Sequence, residues 1–136
     1  METKLVPRGI RNNNPLNIIH SGAKWQGLSN IQPDKTFCKF TSMAFGIRAA
    51  VLILRSYRKK GFTTVQEIVT RWCPDATAPA YIQRVCKETG WKHTHKVDVW
   101  SREEVKTLLS AMTKVECANY ELKESDIIKA FALVAW

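Results

Sequence analysis

The chain has 136 residues, with 21 lysines and arginines against 12 aspartates and glutamates, and a net charge of +9. A chain of this length closes around one hydrophobic core, so we expect a single domain over residues 1–136. The hydrophobic fraction of 45% excludes a disordered chain. The sequence contains no apolar run of the roughly 18–20 residues that span a bilayer, and no signal-peptide pattern opens it, so neither membrane insertion nor classical secretion is expected.

The positive charge favours a polyanionic partner, such as nucleic acid, an acidic lipid surface or a cell-wall polymer. The basic residues are scattered apart from a cluster at 58–60 and match no nucleic-acid motif, so we expect no specific nucleic-acid binding. The four cysteines lack metal-site spacing and a nucleophile motif, and are expected to be buried free thiols. His93 and His95 stand in a polar segment without an acidic ligand nearby, so no metal and no cofactor are expected.

In chain order, an irregular third is followed by helices. From Arg8 to Phe40, Gly, Asn and Pro interrupt short apolar runs, which predicts a small N-terminal β-hairpin. Start and stop signals then predict five helices. These are a helix capped by Ser42 and ending near Lys60, one from the capping box of Thr64 and Glu67 to Trp72, one from Thr77 or Ala78 to before Gly90, one from the capping box of Ser101 and Glu104 to about Glu116 or Ala118, and one from about Ser125. The expected class is mainly α, with a small β element (α+β).

One carboxylate stands on an apolar helix face. The helix after Ser101 has an apolar stripe at helical spacing, and Glu116 belongs to it. Burial and the negative end of the helix dipole both raise the pKa of a carboxyl in this place, as a general acid requires. A helix-end glutamate that pairs with Lys114, Lys123 or an arginine has the same pattern.

Four motifs carry a family resemblance. They are R-G-I-R-N-N-N-P-L-N-I at 8–18, W-Q-G at 25–27, F-C-K-F-T-S-M-A-F-G-I-R-A-A at 37–50, and Y-I-Q-R-V from Tyr81. In this order they resemble small phage and prophage proteins of the lysozyme superfamily of cell-wall hydrolases, often labelled only as structural or lysis proteins. The resemblance covers roughly Arg8 to Trp91 and implies a lysozyme-like helical domain.

A second resemblance concerns the order of the motifs. In bacterial glucosaminidases, the helix that ends in the catalytic glutamate precedes segments similar to N-N-P-L-N-I, W-Q-G and F-C-K-F-T-S. Here the segment L-L-S-A-M-T-K-V-E-C-A-N at 108–119 resembles that helix, and also that of lytic transglycosylases, but it follows them. The resemblance therefore implies a circularly permuted lysozyme-like domain whose catalytic helix lies near the C-terminus, with Glu116 as the catalytic acid.

Five further residues are expected to bind substrate. Asn13, Asn14 and Asn17 have amides that can bind sugar hydroxyl and acetamido groups, although turn asparagines bonded to backbone fit the same pattern. Trp25 offers a ring face to a sugar, with core packing as the alternative. Tyr81 matches a family tyrosine that orients the substrate or the acid, and a core position is again the alternative.

A glycosidase also uses a second carboxylate about 5–10 Å from the acid. Asp34 is the expected one, because lysozyme-like folds carry it on the β element, and Asp75 comes next. A lytic transglycosylase needs no second group, since the 6-hydroxyl of the sugar attacks, so the reaction type stays open.

The expected function is cleavage of peptidoglycan glycan strands, as a muramidase, glucosaminidase or lytic transglycosylase of phage or prophage origin. The alternative is a non-catalytic phage structural or cell-wall-binding protein with the same fold. Peptidoglycan is the expected partner, and a monomer is expected. Without a signal peptide, a protein made in the bacterial cytoplasm would reach the wall through a holin, a virion or another export route.

Overall fold

The computed structural model describes residues 6–136 and is mainly helical. Six helices occur in this part of the chain: α1 (Arg8–Arg11), α2 (Met43–Lys59), α3 (Val65–Trp72), α4 (Ala78–Thr89), α5 (Arg102–Glu116) and α6 (Glu124–Leu133). The five predicted helices are confirmed, with ends within one or two residues except that the last, predicted to run from about Ser125 to the C-terminus, ends at Leu133; the single turn α1 was not predicted. The prediction of no signal peptide rests partly on residues 1–5, which lie outside the described residues. Within the described range no helix is both long and apolar enough to cross a membrane.

The helix caps show why these ends fall where they do. The capping box before α3 is complete, because Thr64 accepts from the backbone of Glu67 and the Glu67 carboxylate accepts from the backbone of Thr64. Only half of the box predicted before α5 forms: Ser101 accepts from the backbone N–H of Glu104 at 3.2 Å. The Glu104 carboxylate instead lies 2.7 Å from Nε2 of His95, which fastens the loop before α5 to that helix.

In place of the predicted N-terminal hairpin, residues 6–40 contain two isolated antiparallel bridges, Ile19 with Phe37 and Leu28 with Phe40. Side-chain amides satisfy the backbone here where a strand ladder would otherwise do so. Asn14 donates to the carbonyls of residues 18 and 38 and accepts from the N–H of residue 18. Gln32 bonds both backbone groups of residue 39 in the same way, so the segment needs no regular strands.

Helix α2 contributes most to the core and packs against α6, while α4 packs against both α3 and α5. The apolar residues of α2 differ in burial. Leu52, Ile53 and Tyr57 are only partly buried, whereas the adjacent face is buried. That face consists of Ala44, Ile47, Ala50, Val51 and Leu54. The small residues among them allow other segments to approach the helix closely.

Two glycines bring the N-terminal segment against the helices. A Cβ on Gly46 of α2 would lie on the carbonyl oxygen of Asn13. A Cβ on Gly9 of α1 would lie 2.6 Å from Sγ of Cys117, directly after α5. The segment 8–18 is therefore packed between α2 and the end of α5, which places Asn17 beside the last residue of α5.

Candidate active site

Glu116 is the last residue of α5, and its side chain is half-buried between the N-terminal segment and α4. Asn17 donates from Nδ2 to Oε1 of Glu116 at 3.0 Å and to its backbone carbonyl at 3.2 Å. Tyr81 of α4 donates its hydroxyl to Oε2 of Glu116 at 3.0 Å. Each carboxyl oxygen thus has one protein donor, and each keeps a lone pair for a proton or a substrate group.

Burial raises the pKa of the Glu116 carboxyl above its ordinary value, and the nearby negative charge of Asp75 raises it further. The hydrogen bonds from Asn17 and Tyr81 favour the ionised form and offset part of this effect. Burial also raises the pKa of Tyr81 well above its usual range, so the phenol stays protonated as a donor. The site therefore holds a carboxyl that takes up a proton more readily than a solvated one does.

The local backbone explains how Asn17 reaches α5. Asn17 has a φ of 52°, in the left-handed region that asparagine tolerates better than most residues. The thiol of Cys117, the residue after Glu116, donates to the carbonyl of Pro15 at 3.3 Å. Together with the close approach of Gly9, this contact fixes the segment against the end of α5.

Each hydrogen-bond partner of the Glu116 carboxyl lines a cavity. One of about 550 Å³ lies on the side of Asn17 and is lined by three aromatic residues, two cations and polar groups. Its principal residues are Asn17, Trp25, Tyr57, Lys60, Arg71 and Trp72. The other, of about 400 Å³, lies on the side of Tyr81, between α4 and the end of α5. The carboxyl is therefore bonded to a wall residue of each cavity, while Glu116 itself lines neither of the two.

Of the other predicted binding residues, the two asparagines brace the N-terminal segment, and Trp25 lines a cavity. Asn14 is fully buried with its amide groups bonded to backbone, and Asn13 donates to the carbonyl of Phe40 at 3.0 Å, so both brace the segment. Neither bonds to Glu116, whereas Asn17 does. Trp25 lines the larger cavity, and its Nε1–H has no protein partner there.

The two candidate second carboxylates have different surroundings. Asp34 accepts from Arg8 at 2.6 and 2.7 Å, from Asn12 at 3.1 Å and from two backbone N–H groups. These bonds hold the pKa of Asp34 far below its ordinary value and tie α1 to the bridge region. Asp75 lies in the loop between α3 and α4, and of these two aspartates it is the one whose charge acts on Glu116. One oxygen of Asp75 accepts from Thr77, and the other has only the thiol of Cys73 at 3.6 Å.

The thiols and histidines do not form a competing site. All four cysteines are free; Cys38 and Cys117 are buried as predicted, while Cys73 and Cys86 are partly exposed. The thiol of Cys38 lies 3.7 Å from Nδ1 of His20, but burial raises its pKa, which opposes a nucleophilic role. Among residues 6–136, no group of three or more His, Cys, Asp and Glu side chains is arranged to hold a metal ion.

Several residues of the cavity walls were not predicted as site residues from the sequence. Arg84 and Lys114 line the smaller cavity, and Tyr57 and Trp72 line the larger one. Arg84 stands three positions after Tyr81, hence on the same face of α4, and this spacing was the available signal. The aromatic pair had no such signal, because Trp72 reaches the site through its bond from Nε1 to the carbonyl of Leu16.

Comparison with known proteins finds a relative from a phage. No protein-family model matches the chain. Protein P5 of Pseudoalteromonas phage PM2 is 35% identical over 130 residues, which cover 91% of this chain and 79% of the relative. The name of that protein states no activity. The chain therefore belongs to the family of Protein P5 of Pseudoalteromonas phage PM2.

Proposed function

We propose that this protein cleaves the glycan strands of peptidoglycan, with Glu116 as the general acid and base. The observation that carries the proposal is the half-buried Glu116 carboxyl, which has a raised pKa and a donor on each oxygen, each donor lining a cavity. The lysozyme-like, circularly permuted reading of the chain is part of the same proposal. It is supported by a helical domain in which the asparagine-rich segment meets the end of α5.

The first step is proton donation to the glycosidic oxygen. A protonated Glu116 gives its proton to the leaving oxygen as the bond to the anomeric carbon breaks. The carboxylate that forms is stabilised by the amide of Asn17 and the hydroxyl of Tyr81, which already point at its two oxygens. The two donors thus act on charge that develops during the reaction.

The second step returns the proton to Glu116. As a base, the carboxylate removes a proton either from water, which gives a reducing end, or from the 6-hydroxyl of the same sugar, which gives an anhydro-sugar. The first route benefits from a second carboxylate. Asp75 has an oxygen without a strong donor and acts electrostatically on Glu116, whereas Asp34 is fully engaged by Arg8 and its neighbours. We therefore place Asp75 before Asp34 as the second carboxylate of a hydrolytic route.

The larger cavity suits a sugar chain. Trp25, Tyr57 and Trp72 supply apolar ring surfaces against which a sugar ring can stack. The net charge of +9 attracts the protein to an anionic cell wall.

The test is the release of soluble muropeptides from purified peptidoglycan by the wild type, Glu116→Gln and Glu103→Gln. Glu103 is an exposed residue in the first turn of the same helix, so its variant is the matched control. We expect Glu116→Gln to lose at least about 100-fold in rate, as removal of a general acid does, and Glu103→Gln to keep full activity. Retained helical circular dichroism shows that the loss is not unfolding.

Mass spectrometry of the products distinguishes the two routes, because hydrolysis leaves reducing ends and transglycosylation leaves anhydro-sugars. Equal rates for wild type and Glu116→Gln would refute the assignment of the acid. A wild type that binds peptidoglycan but releases no fragments would refute cleavage and favour a non-catalytic wall-binding protein.

A further inference from the structure

The cavity on the Tyr81 side of Glu116 is a groove between one face of α4 and the end of α5. Residues of α4 at helical spacing form one wall, and the turn after α5 forms the other. The lining residues are Thr77, Ala80, Tyr81, Arg84, Lys114, Val115, Ala118 and Asn119. We propose that this groove binds a carboxylate carried by the glycan, through Arg84 and Lys114. The proposal rests on the proposed function for its substrate class and adds how that substrate is selected.

The two cations are held in place by other side chains. Glu88 accepts from Nε of Arg84 at 2.9 Å and from Nζ of Lys114 at 3.2 Å, which joins α4 to α5 beside the groove. Glu88 thus lies between the two cations, and Lys114 has a second, longer contact of 4.0 Å to the carboxylate of the exposed Glu121. The salt bridges hold the pKa of Glu88 below its ordinary value, so it stays ionised at neutral pH.

Arg84 has donors left over for a ligand. Its Nε is taken by Glu88 and one Nη2 hydrogen by Oδ1 of Asn119, at 2.5 Å. A guanidinium has five N–H donors in a planar fork, so three remain. A planar fork that is already fixed in direction loses little entropy when it binds a carboxylate.

The turn after α5 is shaped for this arrangement. Ala118 and Asn119 both have left-handed backbone, with φ of 48° and 68°. For alanine this conformation costs free energy, so the turn is held by its surroundings. The N–H of Asn119 bonds the carbonyl of Lys114 at 2.8 Å, and its side chain meets Arg84, so the turn places both cations on the groove.

The charge pattern selects among polysaccharides. Peptidoglycan carries carboxylates on the lactyl group of every second sugar or on the peptide attached to it, whereas chitin-type strands are neutral. Tyr81 lines the groove and bonds to Glu116, so an anionic sugar bound there would contact a residue that is bonded to the acid. Arg84 and Lys114 are therefore specificity-determining residues.

The experiment compares Arg84→Gln, Lys114→Gln, Arg84→Lys and the control Lys129→Gln, an exposed lysine of α6 outside the groove. Four substrates are used: intact glycan strands with peptides, strands freed of peptides by an amidase, the same strands with their carboxyl groups chemically reduced, and neutral chitooligosaccharides. KM and kcat are measured for each. Binding of intact and of reduced strands is measured separately, with every groove variant built on Glu116→Gln, so that no turnover is needed.

We expect each Gln variant to raise KM for carboxylate-bearing strands about tenfold with little change in kcat, because a charge-assisted hydrogen bond is lost. Arg84→Lys keeps the charge and restores part of the affinity, and Lys129→Gln behaves as wild type. For reduced strands and chitooligosaccharides, the Gln variants and wild type should have the same KM. An effect confined to intact strands identifies the peptide carboxylate, and one kept after peptide removal identifies the lactyl carboxylate.

The proposal is overturned if the Gln variants cleave and bind carboxylate-bearing strands as tightly as the wild type, or if they weaken binding of reduced strands equally. If no protein cleaves any strand, the proposed function fails. The binding arm then decides alone: affinity that depends on Arg84 and Lys114 supports the groove, and unchanged affinity refutes it.

Discussion

The packing of Gly9 gives a prediction that needs no assumption about activity. A Cβ added there would lie 2.6 Å from Sγ of Cys117 and 2.7 Å from both the carbonyl oxygen of Asn14 and Oδ1 of Asn17, where real contacts stay above 3.0 Å. Overpacking of this kind costs about 1–3 kcal/mol, and three such contacts place Gly9→Ala at the upper end. The better helix propensity of alanine returns at most about 1 kcal/mol in α1.

We therefore expect Gly9→Ala to lower the free energy of unfolding by about 2 kcal/mol, and Tm by roughly 5–10 °C for a domain of this size. The assay is thermal and urea unfolding, followed by circular dichroism, of Gly9→Ala, Cys117→Ala and the double variant. Cys117→Ala removes one of the three contacted atoms, so the double variant should lose about 1 kcal/mol less than the sum of the single losses. A Gly9→Ala protein as stable as wild type, or strictly additive losses, would refute this packing.

Three other predictions follow from the site and its surroundings. Tyr81→Phe removes a donor to ionised Glu116, so the alkaline limb of the pH–rate profile should move to higher pH, and an unmoved limb would show that the phenol does not act on the acid. Asp34→Asn should lower Tm at pH 7 yet leave the cleavage rate of the folded protein unchanged. Because folding depresses the pKa of Asp34, its stabilising effect is present above the ordinary aspartate pKa and disappears only in strong acid. The Tm values of wild type and variant should therefore converge in strong acid. In native protein, a maleimide should label Cys73 before Cys117, since Cys117 is buried and burial raises its pKa to about 11; peptide mapping that found equal labelling would contradict the described packing.

Local signals predicted the helices well because their caps act over three or four residues. Thr64 and Glu67 form the predicted capping box, and the periodicity of α5 placed Glu116 on a half-buried face, as the structure has it. The hairpin prediction failed to give regular strands because two amide side chains, from Asn14 and Gln32, take over backbone bonds that a strand ladder would make. The spacing of the apolar residues does not reveal that amide side chains take the place of these backbone hydrogen bonds.

The hydrogen-bond partners of Glu116 could not be predicted from local sequence patterns, for a different reason. Asn17 is 99 residues away from it in sequence and Tyr81 is 35 residues away, so only the family resemblance could bring them together beforehand. The preference for Asp34 over Asp75 followed the same resemblance. The structure instead shows Asp34 bound by Arg8, a long-range ion pair that no sequence spacing indicates.

The bond between Asn17 and Glu116 makes the acidity of the carboxyl depend on the docking of the first segment. If residues 8–18 detach while the helices stay folded, water reaches Glu116 and its pKa returns toward that of an ordinary glutamate. Such an opening would remove the raised pKa that the proposed proton donor needs, without global denaturation. Catalytic competence would then be lost at milder temperatures than helical content.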